Sequence, residues 1–240
     1  MPFDSEWITH KGVLTDDNRD YCSIALRGKE ALYVVADGST KGTQSGDLAN
    51  AFVREIADRF IVEPLLSSAD QVISYVRELS GRFKKSHPAG RLSFLVLLDL
   101  GDPSVIALHA GDCRLGMIDV NNGITWLTRA HTLANAVEEI GDEALAQHES
   151  RHVLTRSFKP GKQCDLELSE YDPMAGDNFI IATDGYWADL DDKQRAEFIT
   201  KNVVSLSSQR DDVSCLLLSH SPKCNAVQTD EGTENFYLIN

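Results

Sequence analysis

Apolar runs with β-branched or aromatic character recur along the chain at 21–26, 31–36, 92–100, 104–108, 115–120, 123–127, 165–168, 178–182 and 213–218, and each reads as a strand. Two of them, Phe94-Leu95-Val96-Leu97-Leu98 and Phe179-Ile180-Ile181-Ala182, show no polar alternation and so predict burial on both faces. After the second strand, Leu48, Phe52, Ile56 and Phe60 recur at helical spacing, and Ile73, Val76, Leu79 and Phe83 do the same, predicting two amphipathic helices in succession. A third helix is predicted over 133–147 and a short one over 191–199. Doubly buried strands need covering layers, and the helices are too grouped for strict βαβ alternation. The pattern therefore predicts an α+β fold, a four-layer α/β/β/α sandwich of two mostly antiparallel sheets flanked by helices. There is no internal repeat and no evident linker. One domain is expected over 1–220, followed by a surface tail over 221–240 whose apolar end, Phe236-Tyr237-Leu238-Ile239, offers a docking segment.

Composition narrows the function. A chain of 240 residues that is 42% apolar suits a single domain. With 37 acidic and 23 basic residues its formal charge is −14, which argues against nucleic acid and anionic membrane surfaces as partners, since both need clustered Lys and Arg. The start of the chain is acidic without the basic and apolar regions of a signal peptide, and no apolar run approaches the roughly 20 residues that span a bilayer. A soluble, cytoplasmic protein is expected. Five cysteines, Cys22, Cys113, Cys164, Cys215 and Cys224, include no C-x-x-C and are expected to be buried reduced thiols.

The chemistry concentrates in two phrases far apart, Val34-Val35-Ala36-Asp37-Gly38 and Ile180-Ile181-Ala182-Thr183-Asp184-Gly185, each ending an apolar strand on an Asp. Asp-Gly is also the commonest hairpin signal, so tight turns are the alternative, although a polar loop and a helical stretch, not a second strand, follow each pair. Asp16, Asp17, Asp20, Asp112, Asp211 and Asp212 occupy comparable strand edges. Carboxylates gathered at one rim repel each other unless cations sit among them. Oxygen ligands suit magnesium or manganese, whereas zinc prefers His or Cys. Solvated surface acids are the competing reading of the same residues.

The ordered series Gly12, Asn18-Arg19-Asp20, Val35-Ala36-Asp37-Gly38, Gly111-Asp112-Cys113-Arg114, Leu127-Thr128-Arg129-Ala130-His131, Leu154-Thr155-Arg156, Ala182-Thr183-Asp184-Gly185 and Arg210-Asp211-Asp212-Val213-Ser214 resembles the metal-dependent serine/threonine phosphatases of type 2C, in a bacterial-type single-domain form, over about 12–220. The resemblance implies a β-sandwich between helical layers and hydrolysis of phosphoserine and phosphothreonine by metal-bound water, with no phosphoenzyme. It implies two Mg or Mn ions and a possible third. Asp37 would bridge two ions, with the Gly38 carbonyl as a further ligand; Asp184 and Asp211 would complete the first ion, Asp20 would face the second and Asp112 would help hold the third. Asp37 and Asp184 are thus the foremost catalytic candidates. A phosphorylated protein would be the substrate, opposing a serine/threonine kinase in signalling.

Several positions depart from the family. Thr15 stands where an Arg usually binds the substrate phosphate, and Arg19 replaces a Glu or Gln. Arg19 is expected either to supply the missing charge or to pair with Asp16 or Asp17. Asp212 replaces an Asn and is left out of the ligand set. His131 follows Ala130 instead of Asp and is expected to be structural, and Cys113 replaces Ser as a small packed residue. Thr15 and Arg19 also motivate the alternative of a phosphatase-like signalling module with weak or no turnover that binds a phosphoprotein or a kinase. A phosphatase acting on a small molecule would share the site and differ at its rim. The net negative charge favours basic over acidic phosphopeptides.

Overall fold

The structure, a computed structural model, describes residues 3–62, 66–200, 209–220, 227–229 and 235–240. Strands β1 (Asp4–His10), β2 (Asp20–Arg27) and β3 (Glu30–Gly38) lead into helices α1 (Ser45–Val62) and α2 (Ala69–Ser86). Four strands follow, β4 (Leu92–Asp99), β5 (Val105–Ala110), β6 (Arg114–Ile118) and β7 (Ile124–Trp126). Helix α3 (Asp142–Gln147), strands β8 (Glu167–Tyr171) and β9 (Asn178–Ala182), helices α4 (Asp184–Trp187) and α5 (Asp192–Ile199), and strands β10 (Val213–Ser219), β11 (Val227–Thr229) and β12 (Phe236–Ile239) complete the chain. Two six-stranded sheets result, ordered β11-β1-β10-β9-β6-β7 and β12-β2-β3-β4-β5-β8. All pairs are antiparallel except β1 with β11 and β2 with β12, so the expected mostly antiparallel sandwich is what forms.

Three apolar layers explain the doubly buried strands. Leu32, Val34 and Ala36 of β3, with Phe94, Val96 and Leu98 of β4, face α1 and α2, where they meet Phe52, Ile56, Phe60, Val76 and Leu79. The intervening residues Ala31, Tyr33, Val35, Leu95 and Leu97 point the other way, into the space between the sheets, against Trp7, Phe179, Ile181, Leu216 and Leu218. The opposite sides of β9 and β10, through Ile180, Ala182, Val213 and Cys215, pack on Tyr186, Trp187, Leu190 and Phe198 of the α4–α5 region. Period-two alternation between two buried layers is why these strands read as unbroken apolar runs.

Helix α2 is N-capped by the Ser68 hydroxyl, and α5 by a capping box of Asp191 and Gln194. The helix expected over 133–147 is reduced to α3. Before it, Leu133 N–H donates to the Val153 carbonyl at 2.7 Å, Thr132 bridges to Leu154, and the Asn135 side chain bonds the Ala130 carbonyl and the Ile140 N–H. Those bonds draw the backbone away from helical pairing, and Gly141 restarts it as the cap of α3. The strand β1 went unpredicted, and the tail end docks as β12 beside β2. Cys22, Cys113, Cys164 and Cys215 are buried free thiols; Cys224 lies outside the described residues. Among the described residues no helix is long and apolar enough to cross a membrane.

Candidate active site

The two Asp-Gly phrases end at the same rim of the sandwich, one from each sheet. Asp37 closes β3 and faces Asp20, the first residue of β2, directly in register. Asp184 follows β9 and opens α4. Neither pair is a hairpin. A side chain at Gly38 would stand 2.5 Å from the Ser45 carbonyl at the start of α1, and one at Gly185 would stand 2.0 Å from the Asp212 carbonyl, so each glycine permits a close backbone crossing beside its Asp. Asp112 lies in the turn that carries the chain from β5 to β6, hence from one sheet to the other, and Asp211 precedes β10. The Thr183 hydroxyl donates to the Asp20 carboxylate at 2.8 Å and ties the two sheets together behind the rim.

Asp37, Asp112, Asp184 and Asp211 line one cleft of about 690 Å³. Asp20 is buried behind it and close enough to repel Asp37. Burial pushes the Asp37 carboxyl well above the usual carboxylate range, and repulsion from Asp20, Asp184, Asp112 and Asp211 adds to the shift. Burial and the charge of Asp212 do the same to Asp20. Asp112 and Asp211 are each pushed up to about 7, first by burial and then by Asp184. Asp184 is raised by burial, against which the Arg151 guanidinium at 3.2 Å pulls it down. Arg151 also pairs with Asp189. It is the one basic side chain in ion-pair contact with any of the five carboxylates among the described residues. The fit to hard divalent cations follows from that donor set: oxygen ligands, desolvated, with more negative charge than the protein neutralises.

Asp212 accepts the backbone N–H groups of Gly12 at 2.8 Å and Arg19 at 2.7 Å, so it anchors the loop before β2. The Arg19 side chain is not brought into the cleft. Its Nε pairs with Asp17 at 3.1 Å, and Nη1 donates to the carbonyls of Ser39, Thr40 and Gly42. His131 accepts the Gly111 N–H at Nδ1, and its Nε2 lies 3.0 Å from Glu167, a structural arrangement as expected. Burial pushes the Cys113 thiol well up, away from thiolate chemistry.

Arg210, beside Asp211 in the motif series, also lines the cleft. Sequence reasoning missed Ser93, which donates to Asp112, and the cleft cations Lys41, Arg91 and Arg151. Nothing local marks them, because the loops that carry them meet only in the folded chain. It also missed a tighter set of potential ligands. The ligand atoms of His109, His131 and Glu167 lie within 4.8 Å of one another. The Arg156 guanidinium, however, stands 3.3 Å from His131 and 3.2 Å from Glu167, and the His109 and His131 rings stack at 4.5 Å. The Arg156 guanidinium thus already pairs with the carboxylate of this cluster.

No family model matches the chain. A protein phosphatase 2C-type protein of Streptococcus pyogenes is 22% identical over 188 residues, covering 74% of this chain and 76% of its own. Among solved structures, a serine/threonine phosphatase of S. agalactiae superposes with a TM-score of 0.76 at 16% identity, over 90% of this chain and 99% of that one. One from Staphylococcus aureus gives 0.76 at 18% identity, over 91% and 95%. A Ser-Thr phosphatase of Mycobacterium smegmatis, in complex with cacodylate, gives 0.74 at 19%, over 91% and 98%. These relatives are phosphatases, and so enzymes. The resemblance read from the motif series holds: this chain has the fold of the bacterial metal-dependent serine/threonine phosphatases and a sequence similar to the 2C type.

Proposed function

We propose that the chain hydrolyses phosphoserine and phosphothreonine esters in proteins, using magnesium or manganese held by Asp20, Asp37, the Gly38 main chain, Asp112, Asp184 and Asp211. The observation that supports this reading is the convergence of Asp37, Asp112, Asp184 and Asp211 on one cleft with Asp20 behind it, Arg151 being the one cation in ion-pair contact with them among the described residues. Asp37, repelled by the four other carboxylates, would be the residue that two ions share. Asp184 and Asp211 would hold one of them, Asp20 the other, and Asp112 would help hold a third. Bound there, the ions supply a water that ionises near neutral pH and neutralise the phosphoryl oxygens.

The protein's own groups do the rest. Ser93 and the bond from Trp187 Nε1 to the Asp112 carbonyl at 2.8 Å fix the Asp112 turn. Arg151 orients Asp184. Lys41, Arg91 and Arg210 line the cleft with positive charge for a phosphate dianion. Arg19 shapes the 39–42 loop that presents Lys41, and so acts on the phosphate only indirectly. The domain runs over 1–220, with a tail over 221–240 whose strands β11 and β12 pair at one edge of each sheet, and the enzyme works in the cytoplasm opposite a serine/threonine kinase.

Phosphate release from a phosphothreonine peptide, measured in parallel with manganese, magnesium, calcium and chelator, tests this. Turnover is expected with the first two only. Full turnover in chelator would overturn the reading, and calorimetric manganese binding with no turnover on any phosphoester would make the chain a phosphoprotein-binding module.

A further inference from the structure

The net charge of −14 hides a segregation of charge. Residues 79–91 contain no Asp or Glu but carry Arg82, Lys84, Lys85 and Arg91; residues 150–164 likewise contain none and carry Arg151, Arg156, Lys159 and Lys162. The fold lays these segments side by side. Leu92 and Phe158 exchange backbone hydrogen bonds of 3.1 and 2.9 Å, and Gly161 N–H donates to the Ser80 carbonyl at 2.8 Å. The Ser80 hydroxyl lies 3.2 Å from the Lys159 carbonyl and 2.7 Å from that of Lys162, donating to them.

The seam joins two concavities. At one end Arg91 lines the catalytic cleft. At the other, a groove of about 590 Å³ is lined by Arg77, Ser80, Lys84, Lys162 and Gln163, with two glycines and no acidic side chain. Lys159 lies between: burial lowers its pKa, and Arg91 and Lys162 both repel its ammonium. Among the described residues, Arg77, Lys84, Arg91, Lys159 and Lys162 form no ion pair. The nearest acids along the chain are Glu78 and Asp165, the latter accepting a hydrogen bond from Gln163 at 3.0 Å.

We propose that this seam is a docking track for the acidic segment of a phosphoprotein substrate, with Asp and Glu residues flanking the phosphoresidue lying across Arg91 and Lys159 into the Lys84–Lys162 groove. The proposal rests on the phosphatase reading of the adjoining cleft and names its substrate class. It reverses the expectation drawn from net charge. With screening over about 8 Å at physiological salt, a bound peptide responds to the cations beside it and not to distant acids.

Two phosphothreonine peptides that differ only in four flanking residues, Glu in one and Gln in the other, test the track. At low salt the Glu peptide is expected to show about tenfold higher kcat/KM, and the advantage shrinks in high salt. The double variant Lys84→Gln/Lys162→Gln is expected to abolish the preference while leaving p-nitrophenyl phosphate turnover unchanged, and Lys84→Arg/Lys162→Arg to retain it. Equal kcat/KM for the two peptides, or a preference that survives in the Gln variant, overturns the track. Fluorescence anisotropy of the same Glu peptide carrying Thr in place of phosphothreonine reads the track without turnover. Salt-sensitive binding lost in the Gln variant supports it even where the phosphatase reading fails, and no binding overturns it.

Discussion

At the aspartate rim, carboxylates come from both sheets, Asp184 alone of the five has an ion-pair partner among the described residues, and all five are driven upward in pKa by burial. At the His109–His131–Glu167 cluster the ligand atoms are closer together, within 4.8 Å, yet the charges balance. Burial drives His131 down to about 4 and lowers His109, so both rings are neutral. Burial opposes ionisation of Glu167, but the hydrogen bond from His131 and the charge of Arg156 help to outweigh it, and the carboxyl is held below its usual range. The two clusters thus differ in charge as well as in the spacing of their ligand atoms. Unbalanced charge on hard donors is what a cation relieves.

Activity should break the comparison most sharply. Asp184→Asn is expected to lower manganese-dependent kcat on p-nitrophenyl phosphate by at least about 10³-fold, whereas Glu167→Gln should stay within about threefold. Full activity in the first variant would remove the rim from the mechanism. Metal binding comes next in size. Manganese at about a hundred times its Kd should stabilise the wild type by about 2.7 kcal/mol in thermal unfolding. His131→Gln should keep that gain and Asp37→Asn should lose it. Glu167→Gln removes a half-exposed ion pair with Arg156 and keeps an acceptor for His131, so it should destabilise by about 0.5–1 kcal/mol with or without metal. A loss of manganese affinity in that variant would move the metal to the histidines.

The pH dependence separates the two clusters by sign. Asp112 and Asp211 sit near 7 in the folded chain against 3.8 for the free side chain. A carboxyl raised on folding favours the folded state when protonated. That contribution is complete below 3.8 and is lost as pH rises through about 7. In chelator the unfolding free energy should therefore rise as pH falls from 8 to 6, by at most about 1.4 kcal/mol per unit for each carboxyl, and the thermal midpoint with it. Saturating manganese, which holds the carboxylates ionised, should flatten or invert the slope. A midpoint that falls on acidification in chelator would show that the rim is already neutralised.

The buried strands, the two long helices and the strand-end aspartates were legible because each is written in local sequence. The unbroken apolar runs of β4 and β9 report two buried faces, and an Asp-Gly with no strand after it reports an edge. Strand β1 was not legible: Asp4–His10 mixes polar and apolar residues, and its partner β10 lies far along the chain, with Thr9 and Ser214 bonded across 205 positions. The docking of Phe236–Ile239 beside β2 is likewise a long-range pairing that composition masks. At the site, carboxylate identities could be read, but their counter-charges could not. Arg151 and Arg91 reach the cleft from loops whose approach depends on the Leu92–Phe158 and Thr132–Leu154 bridges.

The same distinction between satisfied and unsatisfied charge sorts the cations. Arg19 is tied to three carbonyls and to Asp17, while Lys41 and Arg91 line the cleft without an ion pair among the described residues. Removing the Arg19 side chain should leave the carbonyls of Ser39, Thr40 and Gly42 with fewer donors and loosen the loop between β3 and α1. Arg19→Ala is thus expected to lower stability by about 1–2 kcal/mol and to change KM for a phosphopeptide by less than about twofold. Thermal unfolding and steady-state kinetics on one preparation check both. A tenfold rise in KM at unchanged stability would place its guanidinium on the phosphate, and would mean that the 39–42 loop opens when substrate enters.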